Sequence, residues 1–299
     1  MRIGTRRSAL ALAQAEQVAE LLGGAEIVPI LTGGDRAEGG PDKSRWVTEL
    51  EQALLEGRVD VAVHSAKDLP TEVAPGLELL GSPVRAAAED VLCGCPDLAA
   101  LAPGARVGTS SLRRLAQLRA ARADLEVLPL RGNVDTRLAK LAEPDGGLAA
   151  IVLARAGLQR LGRSDEAGAV LDPVRFVPAP GQGALALEGR ADDEASRVAV
   201  AGVNDAATFA CLLAERALAR ELGADCDTPL GAHARADEDH GLVLRAWVGL
   251  PDGSSWAADE LAGRLADPAG LGRAVAGRLR AVGAEQLLQG AREAAVDGR

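Results

Sequence analysis

Lysine is nearly missing from this chain of 299 residues: of its 33 Lys+Arg, only Lys43, Lys67 and Lys140 are lysines, and alanine is abundant. A GC-rich coding bias produces both features, so the number of arginines says nothing about function and only their placement can. Positive charge is short overall, with 43 Asp+Glu and a formal net charge of -10. No broad cationic surface is available to release counterions, which argues against nucleic acid as a partner. Long apolar runs are missing too. The longest, Leu148 to Ala154, stops at Arg155, far short of the ~18 residues a membrane-spanning helix needs. The expectation is a chain with no membrane partner.

Cysteine and histidine are sparse: Cys93, Cys95, Cys211 and Cys226, with His64, His233 and His240. A chain of this length does not need a disulfide framework, so reduced thiols in a cytoplasmic protein are expected. Cys93-Gly94-Cys95 resembles half a metal site, but no second Cys/His pair stands at ligand spacing, so no metal is expected and the pair reads as surface thiols. Arg6-Arg7 followed by Ala9 to Ala13 is too short an apolar stretch for an export signal, whose core runs ~7–15 residues. There is no Gly-x-x-x-x-Gly-Lys phosphate loop, and Gly181-Gln182-Gly183 is too short to serve as one, which argues against ATP as a ligand.

What is present reads as a globular protein, 47% hydrophobic and 25% charged. At roughly 100–200 residues per domain, the length suggests two or three domains. The first half alternates strands and helices: a strand at Arg2–Thr5, a helix capped by Ser8 and running to about Leu22, and a strand at Ile27–Leu31. A Gly- and Asp-rich loop over 33–45 follows, then a helix over Val47–Glu56 and a strand from Val59 to His64. A second such unit starts near residue 88, with strands at 105–108, 127–130 and 149–153. This pattern predicts α/β domains with largely parallel sheets. Pro178 to Gly183 marks a boundary or hinge. Beyond about residue 205 a small α+β part follows, closed by an amphipathic helix through Leu271, Val275, Leu279 and Val282. No internal repeat is visible.

Four polar clusters fall at strand ends or helix starts, where open α/β sheets bind ligands. They are Thr5 to Ser8, His64 to Asp68, Thr109 to Arg114, and Arg131 to Arg137. In the third, hydroxyls, unpaired helix N–H groups and two guanidinium groups converge, as at an anion site. Arg113 and Arg114 there oppose the helix dipole, which a bound anion would offset. Arg131 and Arg137 repeat the arrangement. The plain alternative is a set of solvated arginines, but four clusters at strand ends favour a polyanionic ligand, and arginine forks suit carboxylates. Asp68 is the lone acid among these cations. It reads either as an ion-pair partner of Lys67 or as a carboxylate that stabilises a developing cation or shuttles a proton. His64 reads as packed at its strand end. Cys226, in a loop, is a possible covalent attachment point, but its spacing does not rank it above Cys211.

Together these segments resemble the porphobilinogen deaminase, or hydroxymethylbilane synthase, family. The markers are Thr5-Arg6-x-Ser8, Ala62-Val63-His64-Ser65-x-Lys67-Asp68, Gly108 to Arg114, Leu130 to Asn133, Thr136-Arg137-Leu138, Pro180 to Ala184, and Cys226-x-x-Pro229-x-Gly231. The resemblance implies two α/β domains like type II periplasmic binding proteins (1–85 with 184–202, and 88–180) and an α+β domain over 205–299 that carries the cofactor cysteine. It implies a transferase that adds four porphobilinogen units to a dipyrromethane held through a thioether on Cys226, releasing ammonia and then hydroxymethylbilane. By the same match Asp68 is the catalytic carboxylate. Lys67, Thr109, Ser111, Arg113, Arg114 and Arg137 hold the cofactor, and Arg6, Ser8, Arg131, Arg160 and Gln182 serve the substrate. A monomer in the cytoplasm is implied.

Two departures stand against the family pattern. The loop after Asp35 is short, with Asp42-Lys43-Ser44-Arg45-Trp46 where the family carries a longer Gly-Gly-Lys-Gly-Leu-Phe segment. Asp225 replaces the usual glycine before the cysteine, and its charge should raise the Cys226 thiol pKa. The alternatives are a solute-binding protein of the same fold and a catalytically weakened paralogue.

Overall fold

The first strand, Arg2–Arg6 (β1), runs straight into helix Ala9–Leu21 (α1), because the Ser8 side chain accepts the Ala11 amide and stops the strand at a cap. Glu26–Ile30 (β2), Thr48–Leu55 (α2), Val61–Ser65 (β3) and Leu77–Gly81 (β4) follow. The chain then crosses to a second sheet. Its elements are Asp90–Cys93 (β5), Arg106–Gly108 (β6), Leu112–Ala121 (α3), Glu126–Leu128 (β7), Val134–Ala142 (α4), Ala150–Ala154 (β8), Arg155–Arg160 (α5) and Ala169–Val170 (β9). It returns for Leu185–Arg190 (β10) and Glu194–Ala201 (α6). The last part holds Ala206–Glu221 (α7), Leu230–Ala236 (β11), Gly241–Gly249 (β12), Trp256–Arg264 (β13), Pro268–Ala281 (α8) and Ala284–Asp297 (α9). This computed structural model describes residues 1–34, 47–143, 147–224, 228–237 and 241–297. Cys226, Asp225 and the segment from Asp42 to Trp46 lie outside the described residues.

The strand order of the first sheet is β2-β1-β3-β10-β4, and that of the second is β7-β6-β8-β5-β9. In the first, β1 runs parallel to β2 and β3 while β10 is antiparallel to both its neighbours. In the second, β6 runs parallel to β7 and β8 while β5 is antiparallel to both its neighbours. The two sheets therefore share one topology. In each, the reversed strand is the one laid down directly after the chain arrives from the other sheet. This is a repeat of architecture, which the sequence, showing no internal repeat, leaves unannounced. It escapes a sequence search because a sheet demands only the right burial at each position, not the same residues.

Strand burial follows from period-2 alternation in covered sheets. Along β5 and β8, Leu92 and Val152 enter one apolar cluster, with Val107 and Leu118, while Val91, Cys93, Ile151 and Leu153 enter another, with Leu130 and Leu158. The first sheet has two such clusters as well, one around Val18, Val63 and Leu187 and one around Leu50, Leu54 and Val59. In the last part α7 and α8 bury Leu218, Val275 and Leu279 against Leu242 and Leu244 of the antiparallel three-stranded sheet. Together these make an α/β pair of sheets and a small α+β part, as expected.

Three readings need correction. Cys93 and Cys95 are core thiols, not surface ones. Val282 lies past the end of α8 and is 66% exposed, so it is no part of the buried stripe. The closing helix is α9, which follows α8 after a Gly283 with positive φ. Strands β4, β5, β9 and β10 and helices α5 and α6 were also not legible. Among the described residues, no single helix is long and apolar enough to cross a membrane.

Candidate active site

Two segments connect the sheets, residues 82–89 outward and 171–184 on the return, and they touch. The Ala86 amide donates to the Gly183 carbonyl at 3.2 Å. Gly181 and Gly183 both have positive φ, 77° and 86°. A Cβ on Gly181 would sit 2.9 Å from the Ala66 backbone, and one on Gly183 only 2.5 Å from the Ala86 carbonyl. Both positions need glycine because the backbones pass too close for a side chain and turn in the left-handed region.

Where β3 ends, a 3-10 turn over Ala66–Asp68 presents Lys67 and Asp68. The turn is tied to the returning segment by Ala66 N donating to Ala184 O at 3.1 Å. Asp68 and Lys67 line a cavity of about 220 Å³ that also takes Ser111, Arg113 and Arg114 from the start of α3. Its far wall is Arg216 of α7, with Ala224 and Thr228. All three parts of the molecule therefore supply this one cavity. Burial pushes the Lys67 ammonium down to about 8, against the pull of Asp68, and Arg114 and Arg113 push the same way.

Ser111 caps α3, accepting the Arg114 amide, and its own amide donates to Thr109 Oγ1 at 3.2 Å. The two arginines that follow are buried, 3% and 7% exposed. Asp90, the first residue of β5, stands between them. Its Oδ2 lies 2.8 Å from Arg113 Nη2 and its Oδ1 2.7 Å from Arg114 Nη2. Burial alone would raise this carboxyl, but Arg113 and Arg114 hold it well below the usual carboxylate range. A carboxylate of the chain itself thus offsets part of the charge that the sequence reading assigned to a bound anion. Two guanidinium groups facing one carboxylate still leave an excess positive charge. Among the described residues the buried Arg113 Nε has no hydrogen-bond partner.

A second cavity, of about 80 Å³, lies beyond Lys67 and Arg114, which line both. It adds Arg137 of α4, Arg160 of α5 and Gln14 of α1. Arg137 Nε donates to the Gly132 carbonyl at 2.8 Å, and Asn133 caps α4. Arg160 Nη2 donates to Gly183 O at 2.9 Å, while its buried Nε has no partner among the described residues. Burial pushes the Arg160 guanidinium down to about 10, so it remains charged at neutral pH.

The structure thus brings together Lys67, Asp68, Ser111, Arg113, Arg114, Gln182, Arg137 and Arg160 in two adjoining cavities. It does not bring Arg6, Ser8, Thr109 or Arg131 to either. Ser8 caps α1, Thr109 Oγ1 accepts the Ser111 amide, and Arg131 is exposed. Gln182 is spent internally: its Nε2 donates to Ala88 O at 2.7 Å and Asp90 Oδ1 at 2.8 Å, and its Oε1 accepts from Lys67 at 3.5 Å. His64 is packed as expected, buried with Nε2 3.0 Å from Glu188 Oε2. Sequence reasoning missed Asp90 and Arg216. The one available signal for Asp90 was the misplaced arginine pair itself, which demanded a counter-charge without saying from where. Among the described residues no group of His, Cys, Asp and Glu could hold a metal ion.

Known proteins match nearly the whole chain. Residues 1–198 match the family described as "Porphobilinogen deaminase, dipyromethane cofactor binding domain", and residues 209–281 match "Porphobilinogen deaminase, C-terminal domain". The chain is 48% identical to the porphobilinogen deaminase of Acidothermus cellulolyticus, over 97% of this chain and 91% of that one. It is 44% identical to that of Roseiflexus sp., over 96% and 98%, and 46% identical to that of Bordetella parapertussis, over 96% and 94%. Among solved structures it is similar to the methionine-binding protein MetQ at 14% identity and a TM-score of 0.41, over 68% of this chain and 89% of that one. The chain belongs to the porphobilinogen deaminase family, the hydroxymethylbilane synthases of tetrapyrrole biosynthesis.

Proposed function

We propose that the chain joins four porphobilinogen molecules head to tail on a dipyrromethane primer bound covalently by Cys226, releasing ammonia at each addition and hydroxymethylbilane at the end. The observation that carries this is that, among the described residues, one carboxylate, Asp68, stands on the wall of a cavity otherwise supplied with Lys67, Arg113, Arg114 and Arg216. The residues fit the cofactor. It is a polycarboxylate, and among the described residues the cavity has an excess of cations and a buried guanidinium N–H, Arg113 Nε, with no acceptor. Ala224 and Thr228, which bracket the Cys226 loop, also line that cavity.

When bound, the dipyrromethane supplies the pyrrole carbon to which the first unit is added. Arg113, Arg114, Lys67 and Ser111 bind and orient its carboxylates, with Arg137 at the second cavity. Arg160 offers its unpartnered N–H to the carboxylates of the incoming molecule. Asp68 does two things there: it gives a proton to the departing amine nitrogen, and its anionic form offsets positive charge on the pyrrole nitrogen. Arg6, Ser8, Arg131 and Gln182 serve the substrate less directly, since three of them line neither cavity and Gln182 is held by protein partners. The domain division into 1–85 with 184–202, 88–180 and 205–299 is part of the same reading, supported by the three separate sheets. A cytoplasmic monomer working without nucleic acid or membrane also belongs to it, with the net charge of -10 as support against nucleic acid.

The test is an intact mass with a peptide map around Cys226, on protein made in cells that produce porphobilinogen. A mass increase matching one dipyrromethane on that peptide is expected, and Cys226→Ser should lack it. An unmodified wild-type chain that binds porphobilinogen reversibly and never gains an adduct would replace this reading with a solute-binding protein.

A further inference from the structure

Asp90 is 1% exposed and each of its oxygens is committed. Oδ1 accepts from Arg114 Nε at 3.1 Å, Arg114 Nη2 at 2.7 Å and Gln182 Nε2 at 2.8 Å, and Oδ2 lies 2.8 Å from Arg113 Nη2. Carbonyl groups complete the setting: Arg114 Nη1 donates to Val152 O at 3.0 Å and Arg113 Nη1 to Val177 O at 2.9 Å. Each guanidinium is thus held in one plane by the carboxylate on one side and a backbone carbonyl on the other. A planar fork binds a carboxylate well only when its direction is set beforehand. Gln182 extends the hold to the returning crossover segment, and through Ala88 O to the outgoing one.

We propose that Asp90 is the positioning residue of the carboxylate site. It sets the aim of Arg113 and Arg114 into the cavity and ties that aim, through Gln182, to the two segments linking the sheets. This rests on the reading that the cavity takes the cofactor's carboxylates. The shared carboxylate also sets the charge: it cancels one of the two guanidinium charges, making their burial tolerable, and leaves the other for a ligand carboxylate. Without it, two adjacent buried cations would repel each other and rotate away from the cavity.

The experiment compares the full-length wild type with Asp90→Asn and Asp90→Glu, all made in cells that produce porphobilinogen. Urea unfolding midpoints are read beside intact mass and the rate at which cofactor-free protein gains the dipyrromethane mass from added porphobilinogen. Asp90→Asn is expected to fold and to gain the mass about 10–100-fold more slowly, the range found when a group that orients a ligand-holding residue is removed. Asp90→Glu, which keeps the charge, should recover at least part of that rate. A folded Asn variant loading at the wild-type rate overturns the proposal, as does a Glu variant no better than Asn. Failure of both variants to fold assigns Asp90 to stability alone and overturns it too. A wild type that never carries the mass removes the functional reading itself, a result distinct from the others.

Discussion

Arg85 and Glu215 meet in a two-pronged ion pair, Nη1 to Oε1 at 2.6 Å and Nη2 to Oε2 at 3.2 Å. The same carboxylate accepts the Gly181 amide at 2.6 Å and the Ala234 amide at 2.7 Å. Arg85 belongs to the outgoing crossover, Gly181 to the returning one, Glu215 to α7 and Ala234 to β11, so one buried acid joins both crossovers to the last part of the molecule. Glu215→Ala strips four donors of their partner and leaves a largely buried guanidinium uncompensated. A loss of about 3–5 kcal/mol is expected, read as a lower urea midpoint. A midpoint at the wild-type value would mean that this junction does not hold the crossovers to the last part.

Asp68 and Lys67 are neighbours on one turn but should separate on mutation. Asp68→Asn keeps size and removes the acid, so the cofactor mass should persist while turnover falls by about 10²–10⁴-fold, the usual share of a positioned acid–base group. Mass and hydroxymethylbilane formation are measured on the same sample. Wild-type turnover would remove Asp68 from its assigned role.

Lys67 sets a pH dependence whose sign is fixed by burial. Its ammonium is pushed down from 10.5 to about 8, so it loses its charge as pH rises through 8. Loading of the cofactor-free protein should therefore slow above pH 8, and Lys67→Arg should flatten that limb. The stability sign is opposite. A folded-state pKa lowered below the unfolded one costs stability at neutral pH, and the cost fades as pH rises through 8 towards 10.5. Lys67→Met should accordingly raise the neutral-pH urea midpoint of the cofactor-free protein and leave it unchanged near pH 10.5. A Lys67→Arg variant retaining the alkaline limb would place the titration elsewhere.

Gly183 and Gly104 make a controlled pair. Both have positive φ, 86° and 74°, but a Cβ on Gly104 meets nothing within 4 Å, while one on Gly183 would lie 2.5 Å from Ala86 O and 2.8 Å from Ala87 O. Gly104→Ala should cost only the backbone penalty of about 1–3 kcal/mol. Gly183→Ala should cost clearly more, because two backbone segments must part. Equal urea midpoints for the two variants would show that the crossovers do not need their close approach.

Much of the site was written locally. Ser8, Ser111 and Asn133 announce their helices because a cap bonds an amide three residues away, and Lys67 and Asp68 sit where an alternating strand must stop. The buried run through Ile151 and Leu153 identified a covered strand because such strands lack a polar face. Family membership too is carried by these short segments and their order. Tertiary structure decided everything that depends on which segments meet. That Arg113 and Arg114 answer to Asp90, that Gln182 is consumed by Asp90 and Lys67, and that Arg216 reaches the cavity are facts of juxtaposition between residues far apart in the chain. So is the shared topology of the two sheets, whose reversed strands β5 and β10 come from the chain's two crossings. Hydrogen bonds within a turn depend on spacing along the chain, and spacing is readable. A buried ion pair depends on where two distant backbones are brought together by the packing of whole sheets, and no local pattern of residue types encodes that distance.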